Sequence, residues 1–214
     1  MRISIDTGGT FTDLVCEDKK NKLKVFKVPT TPENPSIGIL DGLKQIATSY
    51  EKNFKEFLSD VDTIIHGTTH AINAILTNKI AKTAFLCTKG HPDTLLFREG
   101  GRIEIFNFTV EYPDPYVPRS LTFEIPERTN YDGSISENLD INDLKKIILK
   151  LKKLKIESVA VCLLWSTINP YHEKQIGEVI KNELPNIPFS LSHEVNPTLR
   201  EYRRASSTCI NASL

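Results

Sequence analysis

The sequence has no excess of charge of either sign and no apolar run long enough to cross a membrane. Its 214 residues include 27 Lys and Arg against 27 Asp and Glu, so the formal net charge is zero. A neutral chain has no long-range attraction for nucleic acid or for an anionic membrane surface. A membrane-spanning helix needs about 20 apolar residues. We therefore predict neither a nucleic-acid partner nor a membrane partner.

Cysteines are few, and none is spaced as a metal ligand. The four are Cys16, Cys87, Cys162 and Cys209. No two form a CxxC pair, and Cys87 and Cys162 lie in apolar segments, which favours buried, reduced thiols. The N-terminus has one basic residue and no long apolar stretch after it, so it does not resemble a secretory signal. The cytoplasm is the expected location.

The first 90 residues have the patterns of an α/β fold. Hydrophobic residues make up 39% and charged residues 25% of the whole chain, as in ordinary globular proteins. Residues 2–28 read as three short strands joined by tight turns, which predicts an antiparallel meander with Gly8 and Gly9 at its first turn. Helical spacing begins near Ile37. Strand and helix then alternate over residues 62–90, which predicts some parallel pairing.

Residues 91–135 differ from the rest in having five prolines and many aromatic residues. We predict an irregular insertion there, with a strand over 121–125. Regular structure then returns, with helices predicted at 141–154 and 170–184 and strands at 158–165 and 189–191. The last segment has helical character around 198–206 and ends without a cap or polar tail. It reads as a chain cut within an element, which predicts an unpartnered last helix and an exposed apolar patch.

The chemically informative segment is residues 5–13, which read IDTGGTFTD. An aspartate ends the first strand and two glycines make the turn, where they leave room for backbone N–H groups to approach an anion. Threonine hydroxyls add donors, and Asp6 can hold a hydrated Mg²⁺ beside phosphates. The segment predicts a phosphate clamp on a β-hairpin. Its proposed phosphate-binding residues are Asp6, Thr7, Gly8, Gly9, Thr10 and Thr12, with Asp6 also as the metal ligand.

Two other phosphate motifs do not fit this segment. No GK[ST] follows the glycines, so it is not a Walker loop, and no helix follows them, so it is not a dinucleotide fingerprint. The plainer alternative is a hairpin turn that happens to contain two glycines. A hairpin of that kind needs turn glycines, but it needs neither the aspartate nor the three surrounding threonines.

The segment resembles the first phosphate motif of the actin, Hsp70 and sugar kinase ATPase superfamily. Its form DTGGTFTD is similar to the start of the hydantoinase A, 5-oxoprolinase and acetone carboxylase family. Further segments resemble that family in the same order: HGTT followed by NA at 66–74, TKG with an aspartate at 88–93, VPR at 117–119, ER at 127–128, DG at 132–133, and REY with a following arginine and NA at 200–212. Two departures are His91 and Pro92, which stand where the family has Phe and Arg, and a length several hundred residues short of the family's.

The resemblance implies a fold, cofactors and a function. The fold is α/β, a ribonuclease H-like layer of the actin-type ATPases with a mixed sheet and an irregular insertion. Residues 1–195 would form the N-terminal domain of the family, and 196–214 would begin the next domain. The implied cofactors are ATP and Mg²⁺, with Gly67, Thr68 and Thr69 near the nucleotide. A hydantoinase B-type subunit or domain is the implied partner.

The implied function is the ATP-phosphate-binding part of an ATP-dependent ring-opening amidohydrolase. In the hydantoinase and oxoprolinase members a lactam or imide oxygen is phosphorylated and water opens the ring. The alternative is a subunit of an ATP-dependent ketone carboxylase, so the substrate is a cyclic amide or a ketone. A third hypothesis is a non-catalytic remnant or a subunit completed by another chain. No catalytic residue is assigned, and this chain alone is expected to be inactive.

Several other residues admit both a functional and a plain interpretation. His66 and His70 are four residues apart and could ligate a metal, but Gly67 lies between them, so they could equally position a loop or be structural. Thr68 and Thr69 could contact an anion or simply cap a helix. Arg98, with Glu99 and Arg102, could reach a substrate carboxylate or lie on a solvated loop. Two basic stretches are interpreted as solvent-exposed helix faces: Arg200, Arg203 and Arg204, and the lysines over 145–155.

Overall fold

The computed structural model describes residues 1–31, 33–100, 104 and 106–214, apart from the side chain of His70. The chain divides into two compact units, Met1–Lys79 and Ile80–Leu214. Within the described ranges, no helix is both long enough and apolar enough to cross a membrane. The family-domain boundary expected after residue 195 falls inside the second unit and stays a prediction.

In the described residues, the first unit is a four-stranded sheet with three helices. Its elements in chain order are β1 (Arg2–Thr7), β2 (Phe11–Glu17), β3 (Leu23–Pro29), α1 (Pro35–Ser49), α2 (Phe54–Ser59), β4 (Thr63–Thr68) and α3 (His70–Leu76). The strand order is β3-β2-β1-β4. β1, β2 and β3 pair antiparallel and β4 pairs parallel with β1. The predicted meander with Gly8 and Gly9 at its first turn is confirmed.

Apolar alternation in β1 and β2 builds the core of the first unit. Ile3, Ile5 and Leu14 are buried on one face of the sheet, beneath Leu43 and Ile46 of α1. Arg2, Ser4 and Asp6 alternate with them and are exposed on the other face, as a period of two requires. Helix α1 begins with proline after an Asn34 cap, whose Oδ1 accepts the Ser36 N–H at 3.2 Å. The sheet is thus covered on the α1 face, and Asp6 lies on the opposite face.

The second unit is built around a parallel sheet. Its strands are β5 (Thr83–Thr88), β6 (Thr122–Ile125), β9 (Ser158–Cys162) and β10 (Phe189–Leu191), with a separate hairpin of β7 (Arg128–Thr129) and β8 (Ile135–Glu137). Its helices are α4 (Thr94–Phe97), α5 (Ile141–Lys153), α6 (Tyr171–Glu183), α7 (Ser192–Val195) and α8 (Glu201–Ser213). The sheet order is β10-β9-β5-β6, and all three pairings are parallel.

Helices cover both faces of this parallel sheet, so its central strands have no solvent-exposed face. Every residue of β5 and of β9 is buried, as expected for a parallel sheet between helical layers. Side chains of α5 and α6 pack on one face, while Ala205, Cys209 and Ala212 of α8 pack on the other. The strand predicted over 121–125 within the insertion at 91–135 is confirmed as β6, which joins the sheet; residues 101–103 and 105 lie outside the described part.

All four cysteines are free and buried, which confirms the predicted burial. Burial raises the pKa of Cys87 and of Cys162 to about 12. Such thiols stay protonated at neutral pH, and the nucleophile and metal ligand is the thiolate. These cysteines therefore act as small core residues.

Two sequence predictions for the second unit are wrong. The strand predicted over 158–165 ends at Cys162, because the N–H groups of Leu163 and Leu164 donate to side chains instead of to a neighbouring strand. The last helix, which spans Glu201–Ser213 and overlaps the region of predicted helical character, is not unpartnered, because Ala205 and Cys209 are fully buried against the sheet.

Candidate functional site

The turn between β1 and β2 is held by one backbone hydrogen bond. The Gly8 N–H donates to the carbonyl of Phe11 at 2.9 Å. A Cβ added to Gly8 would lie 2.9 Å from that same oxygen, whereas one added to Gly9 would lie 3.5 Å from Asn73 Nδ2, an ordinary contact. Gly8 is therefore required by the turn itself, and Gly9 faces the neighbouring helix.

A cavity of about 420 Å³ opens beside this turn. Small-molecule sites commonly span about 300–1,000 Å³. Its walls come from the turn, from the segment after β3 and from α3 with the residues that follow. The lining residues are Thr7, Gly8, Gly9, Thr10, Thr30, Pro35, Asn73, Ala74, Thr77 and Lys79. The cavity thus joins two segments, at 5–13 and 66–74, that the family resemblance singled out separately.

The predicted phosphate residues divide into two groups in this geometry. Thr7, Gly8, Gly9 and Thr10 line the cavity. Asp6, Thr12, Gly67, Thr68 and Thr69 do not. Thr12 is fully buried, and its hydroxyl lies 2.9 Å from that of Thr30, so it fixes the base of the turn.

The HGTT segment supports the end of β1. Gly67 is the register partner of Asp6. The Thr68 hydroxyl donates to the Thr7 carbonyl at 3.3 Å, and the Thr69 N–H donates to the same carbonyl at 3.2 Å. These contacts place the HGTT segment against the β1–β2 turn without making it part of the cavity wall.

His66 is positioned to hold a threonine. Its Nε2 lies 3.0 Å from the Thr7 hydroxyl. Across the described residues, no group of three His, Cys, Asp or Glu side chains could hold a metal ion, and the His70 side chain lies outside the description. The contact favours the positioning role for His66 over metal ligation.

Asp13 is a residue that the sequence reasoning missed. It lies directly opposite Asp6 in the β1–β2 register, so two carboxylates share one face of the sheet. Facing carboxylates repel each other, and Lys27 Nζ, 3.1 Å from Asp13, offsets one of them. The position of Asp13 at the end of the same DTGGTFTD segment was the sequence signal that could have identified it.

Asn73 and Lys79 were missed as well. Asn73 Nδ2 donates to the Thr69 hydroxyl at 3.3 Å and faces Gly9 across the cavity. Lys79 is the one cation among the cavity's lining residues in the described chain. Asn73 belongs to the NA pair that resembles the family, whereas no sequence feature near Lys79 indicated that it lies close to a turn seventy residues earlier.

The family of the chain follows from comparison with known proteins. Residues 2–184 match the family described as hydantoinase/oxoprolinase N-terminal region. The chain belongs to this family. Among its relatives is the caprolactamase subunit alpha of Pseudomonas jessenii, 36% identical over 100% of this chain and 31% of the relative. The acetophenone carboxylase gamma subunit of Aromatoleum aromaticum is 32% identical over 99% of this chain and 31% of the relative.

Solved structures of the family share the fold. The crystal structure of the ATP-dependent caprolactamase from Pseudomonas jessenii aligns with a TM-score of 0.85 and 36% identity, over 100% of this chain and 31% of that one. The chain therefore spans about a third of the length of these relatives. A mixed α/β architecture is common to the hydantoinase/oxoprolinase family member described here and to that enzyme.

The second unit contains a buried polar cluster where β9 ends. Glu173, which is fully buried, accepts hydrogen bonds from the Leu163 N–H at 2.9 Å, the Ser192 hydroxyl at 2.6 Å, the His193 N–H at 3.1 Å and His193 Nδ1 at 2.6 Å. Buried Arg204 donates to the Leu163 carbonyl at 2.7 Å and to Ser192 at 3.0 Å. The cluster satisfies backbone groups left by the end of the strand, which is a structural role.

Acid should weaken the fold partly through Glu173. Burial alone raises the pKa of this carboxyl, but hydrogen bonds from His193, Ser192 and Leu163 outweigh burial and leave the pKa below its ordinary value. A lowered folded pKa contributes stability above the unfolded pKa of about 4.3, and that contribution is lost as pH falls through the folded pKa. We expect urea unfolding to show this loss below about pH 4.3, and Glu173→Gln to lack that part of the dependence. An identical acid profile in the variant would contradict the assignment.

Proposed function

We propose that the first unit holds the phosphates of ATP at the β1–β2 turn, as part of an ATP-dependent ring-opening amidohydrolase. The observation that carries the proposal is the convergence of two separate family segments on one cavity, with Gly9 facing Asn73. The relatives support it, since the names of two of them are ATP-dependent caprolactamase and 5-oxoprolinase. The strand order β3-β2-β1-β4 is consistent with the ribonuclease H-like layer of actin-type ATPases, which belongs to the same proposal.

The donors available to an anion are Gly9 and Thr10. The Gly8 N–H is engaged with Phe11, but the N–H groups of Gly9 and Thr10 make no hydrogen bond to any described residue. The Thr10 hydroxyl and the ammonium group of Lys79 can add to them along the cavity. Two backbone donors, a hydroxyl and a cation form a set suited to a polyphosphate.

Asp6 and Asp13 are the residues that would hold Mg²⁺. Magnesium in proteins is bound through one or two carboxylates, several waters and the substrate phosphates, and this pair of facing carboxylates fits that requirement. The ion, when bound, neutralises part of the phosphate charge. Thr68, Thr69 and Gly67 keep the end of β1 in register beside the turn.

The chemistry that these residues serve is activation of an unreactive carbonyl. An amide oxygen is a poor leaving group until it is phosphorylated, and fixed N–H donors at the phosphate offset the charge that develops during transfer. A ketone carboxylase subunit is the second candidate function, because one relative is named acetophenone carboxylase. We also propose a partner subunit, because these relatives are named as alpha and gamma subunits. The four free, buried thiols support a cytoplasmic location.

The phosphate site can be tested on this chain directly. We expect magnesium tripolyphosphate and Mg-ATP to shift the backbone amide resonances of Gly9 and Thr10 in ¹H–¹⁵N spectra of the labelled chain. Lys79→Gln should weaken the response, whereas Lys55→Gln, an exposed lysine on α2, should leave it unchanged. Shifts confined to the second unit, or none at concentrations of about 10 mM, would overturn the assignment.

The metal role of Asp6 predicts a specific loss. Asp6→Asn should keep the fold, because Asp6 is exposed and the side chains are nearly isosteric. It should lower by about tenfold the gain in ATP affinity that Mg²⁺ gives, which corresponds to about 1.4 kcal/mol, because the variant has one carboxylate fewer for the ion. Affinity with and without Mg²⁺ is compared by the same titration, with circular dichroism to check the fold. Asp41→Asn, on the exposed face of α1, is the matched control, and an unchanged Mg²⁺ dependence in Asp6→Asn would disprove the role.

A further inference from the structure

A second cavity, of about 480 Å³, lies in the second unit. It is bordered by His91, which follows β5, and by Leu164, which follows β9. The carboxyl ends of parallel strands are where ligands bind in open α/β sheets. Phe97 and Leu164 give the cavity apolar walls, and it is also lined by Arg98, which follows α4, and Arg200, which precedes α8.

The two carboxylates in the lining are each matched by an arginine outside it. Glu99 accepts from Arg203 Nε at 2.6 Å and from a second Arg203 nitrogen at 3.2 Å. Arg203 holds the pKa of Glu99 below its ordinary value. Glu201 lies 3.7 Å from the buried guanidinium of Arg204. Arg203 and Arg204 thus make the ion pairs with these carboxylates, and Arg200 adds only the smallest of the effects that act on the pKa of Glu99.

Arg98 and Arg200 are free to bind an anion. Neither guanidinium makes a hydrogen bond or ion pair with any residue in the described part of the chain. Both residues also adopt left-handed backbone, with φ of 56° and 73°. Glycine takes such a conformation at little cost, whereas a residue with a side chain is strained there. The presence of arginine at two strained backbone positions on one cavity indicates that the guanidinium groups have a binding function.

We propose that this cavity binds a small organic carboxylate, with Arg98 and Arg200 on the carboxylate and Phe97 and Leu164 against its hydrocarbon part. Arginine presents paired N–H donors that match a carboxylate bidentately. The volume exceeds what a bare inorganic ion requires and lies in the range of small-molecule sites. All the lining residues belong to the second unit, so the proposal does not depend on the phosphate site of the first.

Calorimetry on the whole chain tests the ligand class. Glutarate is expected to bind with a Kd of about 1 mM or tighter, and the uncharged glutaramide, of the same length, at least about tenfold more weakly. Inorganic phosphate is expected to bind more weakly than glutarate, because it has no hydrocarbon part. Equal binding of glutaramide, tighter binding of phosphate, or no binding of glutarate would each overturn the proposal.

Glycine variants separate binding from folding. Arg98→Gly and Arg200→Gly should each weaken glutarate binding about tenfold or more, while the thermal unfolding midpoint stays equal or rises because backbone strain is relieved. Lys155→Gly is the matched control, since Lys155 is an exposed cation with φ of 51° away from the cavity. Its midpoint should respond in the same way and its glutarate affinity should not change. If Arg98→Gly fails to fold, Arg98→Gln replaces it. Retained glutarate affinity in these arginine variants contradicts the assignment.

Discussion

Gly8→Val is expected to abolish phosphate binding by the first unit and to lower its free energy of unfolding by about 2–3 kcal/mol. A Cβ at this position would meet the Phe11 carbonyl oxygen at 2.9 Å, and the same oxygen accepts the Gly8 N–H. The side chain therefore cannot be added without opening the turn. Once the turn opens, the Gly9 and Thr10 donors no longer converge on the cavity. Urea unfolding and the tripolyphosphate titration measure the two losses.

Gly9→Val is the informative comparison, since it changes the neighbouring glycine in the same way. A Cβ at Gly9 would lie 3.5 Å from Asn73 Nδ2, an ordinary contact, so we expect the fold to survive. The branched side chain would still occupy the cavity and block an anion from the Gly9 N–H. Loss of binding with retained stability in Gly9→Val, beside loss of both in Gly8→Val, is the expected pattern. Full tripolyphosphate binding in either variant would show that the segment is only a hairpin turn and not a phosphate site.

Glu173→Leu should be the most destabilising single change in the second unit, lowering its free energy of unfolding by about 3–5 kcal/mol. Leucine has a similar volume but accepts no hydrogen bond. The Leu163 N–H, the Ser192 hydroxyl and the two His193 donors would all lose the carboxylate that accepts their hydrogen bonds. Leaving a buried donor unsatisfied costs about 1–3 kcal/mol.

Glu178→Leu provides the control on the same helix. Glu178 is exposed on α6, so its replacement should change stability by less than about 0.5 kcal/mol. Denaturant unfolding of both variants, followed by circular dichroism, makes the comparison. Similar stabilities of the two variants would show that the cluster at the end of β9 does not support the fold.

Local pattern alone determined a large part of this protein. Strict alternation in β1, with Ile3 and Ile5 between polar residues, identifies a strand with one wet face because successive side chains point to opposite sides. The short apolar runs around Phe85 and Val161 identify buried strands. The DTGGTFTD segment identified both the hairpin and the family, because tight turns and anion-binding turns need particular residues at fixed spacing.

Other features were decided only in three dimensions. β9 ends at Cys162, although the apolar run continues, because Glu173 and Thr88 take the next two N–H groups. α8 begins at Glu201 because Arg200 has a left-handed backbone, which no propensity for arginine predicts. Lys79 lines one cavity with the β1–β2 turn, and Arg98 lines another with Arg200, across long stretches of chain. The sequence by itself determined elements and motifs, whose causes are local, whereas the tertiary structure decided strand ends and cavity walls, because those depend on partners distant in sequence.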